Sequence, residues 1–218
     1  MKFYMTPGSC STGIHILLEE LDLSFEAHVV DLMAGGHLKP DFLAINPRAT
    51  VPTLVTNDGL ALTDFASIAV WLADAHPKMG LLPVAGDARA RALDVMQYVL
   101  GVVHGEGFTR VFVSERYAVD ADERGEVERE GRSMVERGFA RLDSWLAEAA
   151  YVVERFSIAD AALFYVEFWA DRIGIPLPPR CQAHYGAMLG RRAVRQVLAE
   201  EGYSSTLRKH APAGAFVP

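Results

Sequence analysis

The sequence predicts an α/β domain followed by an all-α domain, and three observations predict it. Strand and helix signals alternate through the first 80 residues. Residues 76–87 (His-Pro-Lys-Met-Gly-Leu-Leu-Pro-Val-Ala-Gly-Asp) carry two prolines and two glycines and break that alternation as a linker. Beyond them every apolar periodicity is helical, so the two layer types are segregated along the chain.

The elements follow in order. Lys2-Phe3-Tyr4-Met5 is a short apolar strand that Thr6-Pro7-Gly8 stops. From Ser11, residues Ile14, Leu17, Leu18 and Leu21 keep helical spacing. Phe25 to Leu32 reads as a strand centred on Val29 and Val30, ended by Gly35-Gly36. After a loop or short helix, Val51–Val55 and Leu60–Leu62 flank Asn57-Asp58-Gly59, a hairpin signal. Thr63-Asp64 caps a helix carrying Ile68, Trp71 and Leu72. The order βαβ then ββα gives a small mixed sheet. Asp87 is the expected N-cap of the next helix. Ala88–Arg116 is one long helical pattern loosened by Gly101, Gly105 and Gly107, and Glu123–Ala150 is a second, with charges such as Glu126, Glu130 and Arg137. Ser157–Ile173 is apolar on all sides and therefore buried; Ser157 and Asp160 form a capping box, with Phe156 as staple. Pro176-Leu-Pro-Pro179 ends it, shorter helices follow near 181–191 and 193–201, and the last residues read as a loose tail.

Composition narrows the function classes. Of 218 residues, 50% are hydrophobic and 22% charged, which argues against disorder. Lys and Arg total 21 against 28 Asp and Glu, a net charge of −7, so a nucleic-acid partner is disfavoured. No apolar run approaches the ~20 residues of a membrane helix. The start, Met1-Lys2-Phe3-Tyr4-Met5, lacks the apolar core of a signal peptide. Two cysteines, Cys10 and Cys181, do not make a disulfide scaffold. These features describe a soluble cytoplasmic protein with no membrane partner; no metal and no resident cofactor are expected.

Three places can carry chemistry. Cys10 lies between the first strand and the N-terminus of the first helix, where outward N–H groups and the helix dipole favour a thiolate. Ser9, Ser11 and Thr12 surround it with hydroxyls. A small cysteine is also a common core residue. Position 13 is Gly, so there is no internal dithiol, and a redox cycle needs an external thiol. Val51-Pro52 precedes the strand Thr53-Leu54-Val55; an ordinary trans proline suits a strand start, whereas a cis bond turns the Val51 N–H and C=O outward toward a peptide-like ligand. Asp64, before Phe65, is placed to take an ammonium group while neighbouring N–H groups take a carboxylate, or simply to cap the helix.

Met1-Lys-Phe-Tyr-Met-Thr-Pro-Gly-Ser-Cys-Ser11, Asn46-Pro-Arg-Ala-Thr-Val-Pro-Thr-Leu54 and Leu62-Thr-Asp-Phe-Ala-Ser-Ile68 resemble the thioredoxin-like half of cytosolic glutathione transferases. Phe156-Ser-Ile-Ala-Asp-Ala-Ala-Leu-Phe164 is similar to that family's buried second-half helix. Thr-Pro-Gly-x-Cys-Ser most resembles the bacterial beta class, whose cysteine can hold glutathione as a mixed disulfide. The resemblance implies a thioredoxin-like glutathione-binding domain over 1–76, a linker over 77–87, a helical-bundle acceptor domain over 88–202 and a tail over 203–218. It implies that Val51 pairs its backbone with the cysteinyl unit of glutathione ahead of a cis Pro52. Asp64 and Phe65 then face the γ-glutamyl end, and Ser9, Cys10 and Ser11 lie beside the sulfur. His104 resembles the beta-class histidine near the sulfur, although its spacing to Gly107-Phe108 is one residue longer than the usual pattern; Gln97, seven residues or about two turns earlier, shares its face and is counted among the glutathione-binding candidates. Phe108, Phe112 and Tyr117 are the candidate acceptor-pocket residues.

Met5 stands where beta enzymes often carry Tyr, Phe65 replaces a common Ser, and Glu154 occupies a position that is often Gly, where strain is expected. Ser11-Thr-Gly-Ile-His15 lacks the Arg of the maleylacetoacetate isomerase branch. The resemblance implies a glutathione transferase acting on small hydrophobic electrophiles, with glutathione as co-substrate and a homodimer as assembly. Two alternatives stay open: a glutathione-dependent thiol–disulfide oxidoreductase working through Cys10, and a non-catalytic binding protein on the same fold. Whether Cys10 or Ser11 is the main partner of the sulfur is also left open.

Overall fold

The structure, a computed structural model, describes residues 1–146 and 150–210. The end of the helix expected to reach Ala150 falls partly outside the described residues, as does 211–218 of the expected tail. The chain forms two compact units, Met1–Leu82 together with the segment from Met188 onward, and Pro83–Ala187. The boundary thus differs from one placed at 202, because the last helices belong with the first unit.

The first unit holds a four-stranded mixed sheet. Strands β1 (Lys2–Met5), β2 (Glu26–Val29), β3 (Thr53–Val55) and β4 (Ala61–Thr63) are ordered β2-β1-β3-β4. β1 runs parallel to β2, with Phe3 opposite Ala27, and antiparallel to β3, with Phe3 opposite Leu54. The expected hairpin joins β3 to β4, with Leu54 opposite Leu62. β2 is shorter than its apolar run because it is an edge strand: Val29 ends it 67% exposed, and Val30 turns inward. Helices α1 (Ser11–Glu20), α2 (Pro40–Ile45) and α3 (Phe65–Ala75) follow β1, β2 and β4. Phe3, Ile14, Leu17, Leu18, Leu54, Ile68 and Leu72 are fully buried and form this unit's core. α9 (Arg192–Glu200) packs on α1, and α10 (Ser204–His210) packs on α9. The segment read as a tail is therefore helical to His210, held by the buried Thr206 and Leu207.

The second unit is helical. α4 spans Gly86–Tyr98, so Asp87 lies inside its first turn rather than capping it, where its charge still complements the dipole. The single helix expected over 88–116 is not one α-helix. Val99–Phe108 is a ten-residue π-helix, and a four-residue α5 (Thr109–Phe112) follows. Its wider turn rotates His104 off the face of Gln97, which is exposed, so the two do not share a side as α spacing required. α6 (Ala121–Trp145) crosses the π-helix at glycines: a Cβ on Gly107 would meet Val135 Cγ2 at 2.7 Å, and one on Gly131 would meet the Gly107 carbonyl at 2.9 Å. α7 (Ile158–Ile173) is buried on all sides as expected, and its Ser157–Asp160 capping box is formed. α8 (Pro179–Leu189) follows, and the division between units falls in its last turn.

Candidate functional site

Residues 6–12 build the head of α1. Cys10 immediately precedes the helix with φ −57° and ψ −21°. Ser9 Oγ accepts the Ser11 N–H at 3.1 Å, while Ser11 Oγ accepts the Thr6 N–H at 3.0 Å and lies 3.0 Å from the Thr6 carbonyl. Ser11 is fully buried, so its hydroxyl is committed to shaping this turn. Cys10 Sγ donates to the Val51 carbonyl at 3.4 Å. Burial pushes the half-buried Cys10 thiol up to about 12; Asp64 adds to the rise, and the backbone N–H groups of Cys10 and Ser11 oppose it. The thiol is therefore neutral at physiological pH, opposite to the direction that the helix N-terminus alone favours.

The turn is braced by Glu201 and Tyr203, far along the chain from it. Glu201 Oε2 accepts the Gly8 N–H at 2.8 Å and the Thr12 hydroxyl at 2.7 Å. Its other oxygen accepts from His15 Nδ1 at 2.9 Å. Gly8 has φ +74°, and a Cβ there would meet the Tyr203 hydroxyl oxygen at 2.2 Å. The Val51 side of the site hangs on Asn46, which is fully buried. Its Nδ2 donates to the Thr50 carbonyl at 2.8 Å and Thr53 Oγ1 at 2.9 Å, and its Oδ1 accepts the Arg48 N–H at 2.9 Å. These bonds fix the loop that presents Val51, whose bond to Pro52 is cis. At the head of α3, Asp64 occupies the cap position without capping by its side chain, and its carboxylate instead pairs with Arg48 at 3.1 Å. Phe65, the first residue of α3, is buried.

Ser9, Cys10, Ser11, Val51, Pro52, Asp64 and Phe65 thus belong to the first unit. Gln97, His104, Phe108, Phe112 and Tyr117 belong to the second. His104 Nδ1 lies 3.1 Å from the Tyr165 hydroxyl, its ring sits edge-on to Trp169, and burial lowers it to about 4, so it is uncharged at neutral pH. Phe108 is fully buried against Phe112 and Trp169. Phe112 and Tyr117 are exposed by 47% and 45%, and the Arg110 guanidinium covers the Tyr117 ring. Glu154 has none of the left-handed backbone that would carry the expected strain. The sequence reading missed Asn46, Arg48 and Glu201 as site-forming residues. The first two lie inside the Asn46–Leu54 motif, where a buried Asn before a turn is the available signal; Glu201 has no local signature.

A mixed sheet with a cysteine at the head of its first helix and a cis-proline strand facing that cysteine defines the thioredoxin-like class. The N-terminal domain of glutathione S-transferases matches residues 8–75. Glutathione S-transferase GstA of Escherichia coli O157:H7 is 32% identical over 207 residues, covering 93% of this chain and 99% of that protein. A glutathione transferase homologue from Sulfitobacter, solved with bound glutathione, superposes with a TM-score of 0.84 at 27% identity, over 91% of this chain and 97% of that one. The bacterial beta-class glutathione S-transferase of Sphingomonas chungbukensis gives 0.80 at 29% identity, over 93% and 100%. The chain belongs to the glutathione S-transferase family.

Proposed function

We propose that this protein conjugates the thiolate of glutathione to small hydrophobic electrophiles. The observation that carries the reading is the contact of Cys10 Sγ with the Val51 carbonyl at 3.4 Å. It joins the positive end of α1 to the backbone edge that would receive the cysteinyl unit. In this reading Val51 pairs with the peptide backbone of glutathione, Asp64 takes its ammonium group and the Phe65 N–H takes its carboxylate. Each pKa unit by which the site lowers the glutathione thiol represents about 1.4 kcal/mol. Cys10, held neutral, supplies an S–H donor to that thiolate rather than a second nucleophile, which favours conjugation over disulfide exchange. Ser9 and Ser11 act by shaping the turn. His104, being uncharged, contributes no imidazolium, and Phe112 and Tyr117 offer the acceptor an apolar surface. No resident cofactor is needed, because glutathione enters as co-substrate.

A detoxifying role in the cytoplasm, as a homodimer, completes the proposal. No helix among the described residues is long and apolar enough to cross a membrane. The two-fold dimer is the commonest assembly of soluble proteins, and the exposed Met33, Leu38, Leu60 and Met79 give the first unit apolar surface for a partner copy. The test is conjugation of glutathione to a chlorodinitrobenzene-type acceptor by the native protein and by Cys10→Ala. Loss of one neutral donor costs about tenfold or less, so Cys10→Ala is expected to remain active. Abolished conjugation in Cys10→Ala, with glutathione-dependent disulfide reduction in the native protein, would move the chemistry to Cys10 itself.

A further inference from the structure

We propose that His15, Glu19 and Glu200 form a binding site for a borderline-soft divalent cation such as Zn²⁺, which fastens α9 to α1. The sequence reading expected no metal. His15 and Glu19 stand four residues apart on α1, so their side chains share one face of the helix. Glu200 ends α9, which packs on α1. One ligating atom from each of the three lies within 4.8 Å of the others. His15 Nε2 and Glu200 Oε2 are 3.3 Å apart; two ligands on a tetrahedral Zn²⁺ at about 2.0–2.1 Å sit roughly 3.3–3.4 Å apart. Glu19 is partly exposed, so its side chain can rotate toward the other two.

The imidazole is already oriented for ligation. A carboxylate can only accept, so the 2.9 Å contact of His15 Nδ1 with the buried Glu201 makes Nδ1 the donor. His15 is 5% exposed, and its Nε2 is left facing Glu200 at 3.3 Å, where a cation between the two would take the nitrogen's lone pair. This is the carboxylate–histidine–metal arrangement that fixes a ligand's tautomer and raises its basicity. A cavity of about 470 Å³, lined by His15, Glu19, Glu200, Glu201 and Phe25, leaves room for water as a fourth ligand. The competing arrangement is an imidazolium paired with both Glu200 and Glu201.

The chelator-treated full chain is titrated with Zn²⁺ by calorimetry, with thermal denaturation in parallel and Co²⁺ as a spectroscopic substitute. The expected result is one Zn²⁺ per chain and a raised Tm. Removing a metal ligand's supporting partner alone typically costs about 10–100-fold in affinity, so Glu19→Gln and Glu200→Gln should each cost at least about tenfold, and Glu126→Gln on α6 should change nothing. The proposal is overturned by absence of saturable binding in the native chain, which leaves the imidazolium pairing. It is equally overturned by binding that neither variant weakens, or by a thiolate charge-transfer band with Co²⁺, which assigns the metal to a cysteine. Because these readouts are not conjugation, they stand or fall independently of the proposed activity.

Discussion

At Asp64 the backbone adopts φ +65° and ψ 167°, a region that glycine occupies freely and other residues avoid at about 1–3 kcal/mol. The residue keeps a side chain there, and its carboxylate is 43% exposed. Its ion pair with Arg48 is a surface pair worth about 0–1 kcal/mol, which does not repay the strain. The glutathione-binding role proposed above for the carboxylate would account for it. Asp64→Asn keeps the shape and removes the charge, and a charged hydrogen bond contributes about 1.5–3 kcal/mol. We expect KM for glutathione to rise roughly 10- to 100-fold while Tm stays nearly constant; steady-state kinetics with varied glutathione measure it. Cys10, Val51 and Asp64 could be picked out of the sequence as candidates because each lies in a short contiguous motif. The direction of the Cys10 shift was not legible, since desolvation depends on packing that no neighbouring residue announces. Glu201 was equally hidden, its partners Gly8, Thr12 and His15 lying at the other end of the chain.

The helices of the second unit were legible as helices, yet the type of one was not. Apolar spacing in Val99–Phe108 reads as a loosened α pattern, and only the extra residue between His104 and Gly107-Phe108 hinted at a wider turn. Glycine has two different uses in the α6 that packs against it. Gly125 faces a flexible arginine, with Arg129 Nη1 3.5 Å from the position of a Cβ. Gly131 faces the rigid Gly107 carbonyl at 2.9 Å and Arg110 Cβ at 2.7 Å. Alanine gains about 1 kcal/mol in a helix interior, whereas overpacking costs about 1–3 kcal/mol. Gly125→Ala is therefore expected to raise Tm slightly and Gly131→Ala to lower it, as followed by thermal denaturation.

The stability of the whole molecule has a pH dependence that centres on the core of the second unit. His184 Nδ1 lies 2.8 Å from Glu167 and its Nε2 lies 3.1 Å from Asp160, all three being buried. The two carboxylates hold His184 at about 10 against burial, and burial lifts Glu167 to about 7. Both shifts run upward, so the folded chain binds more protons than the unfolded one. The His184 contribution is complete below its ordinary value of 6.5 and is lost as pH rises through about 10; ionisation of Glu167 removes stability between 4.5 and about 7. Urea midpoints are expected to fall steadily from pH 5 to pH 10. His184→Ala strands two buried acids and is expected to cost about 3–5 kcal/mol near neutrality. Division into a mixed sheet and a helical part was legible from periodicity, but the return of the final helices to the first unit was not. That return follows from the tertiary partners of Glu201 and Tyr203.

The bracing of Gly8 and Thr12 by Glu201, with Tyr203 packed over the same turn, fixes when this protein can mature during its synthesis. Chains generally fold from their beginnings as they leave the ribosome, at about 5–20 residues per second. Here the sheet and α1 emerge first, and the clamp on the Cys10 turn comes later, Glu201 following Gly8 by 193 residues. A nascent chain therefore carries an unfinished turn until those 193 further residues have been made. The thiol-bearing segment reaches its final setting only once residues 201–203 have left the ribosome.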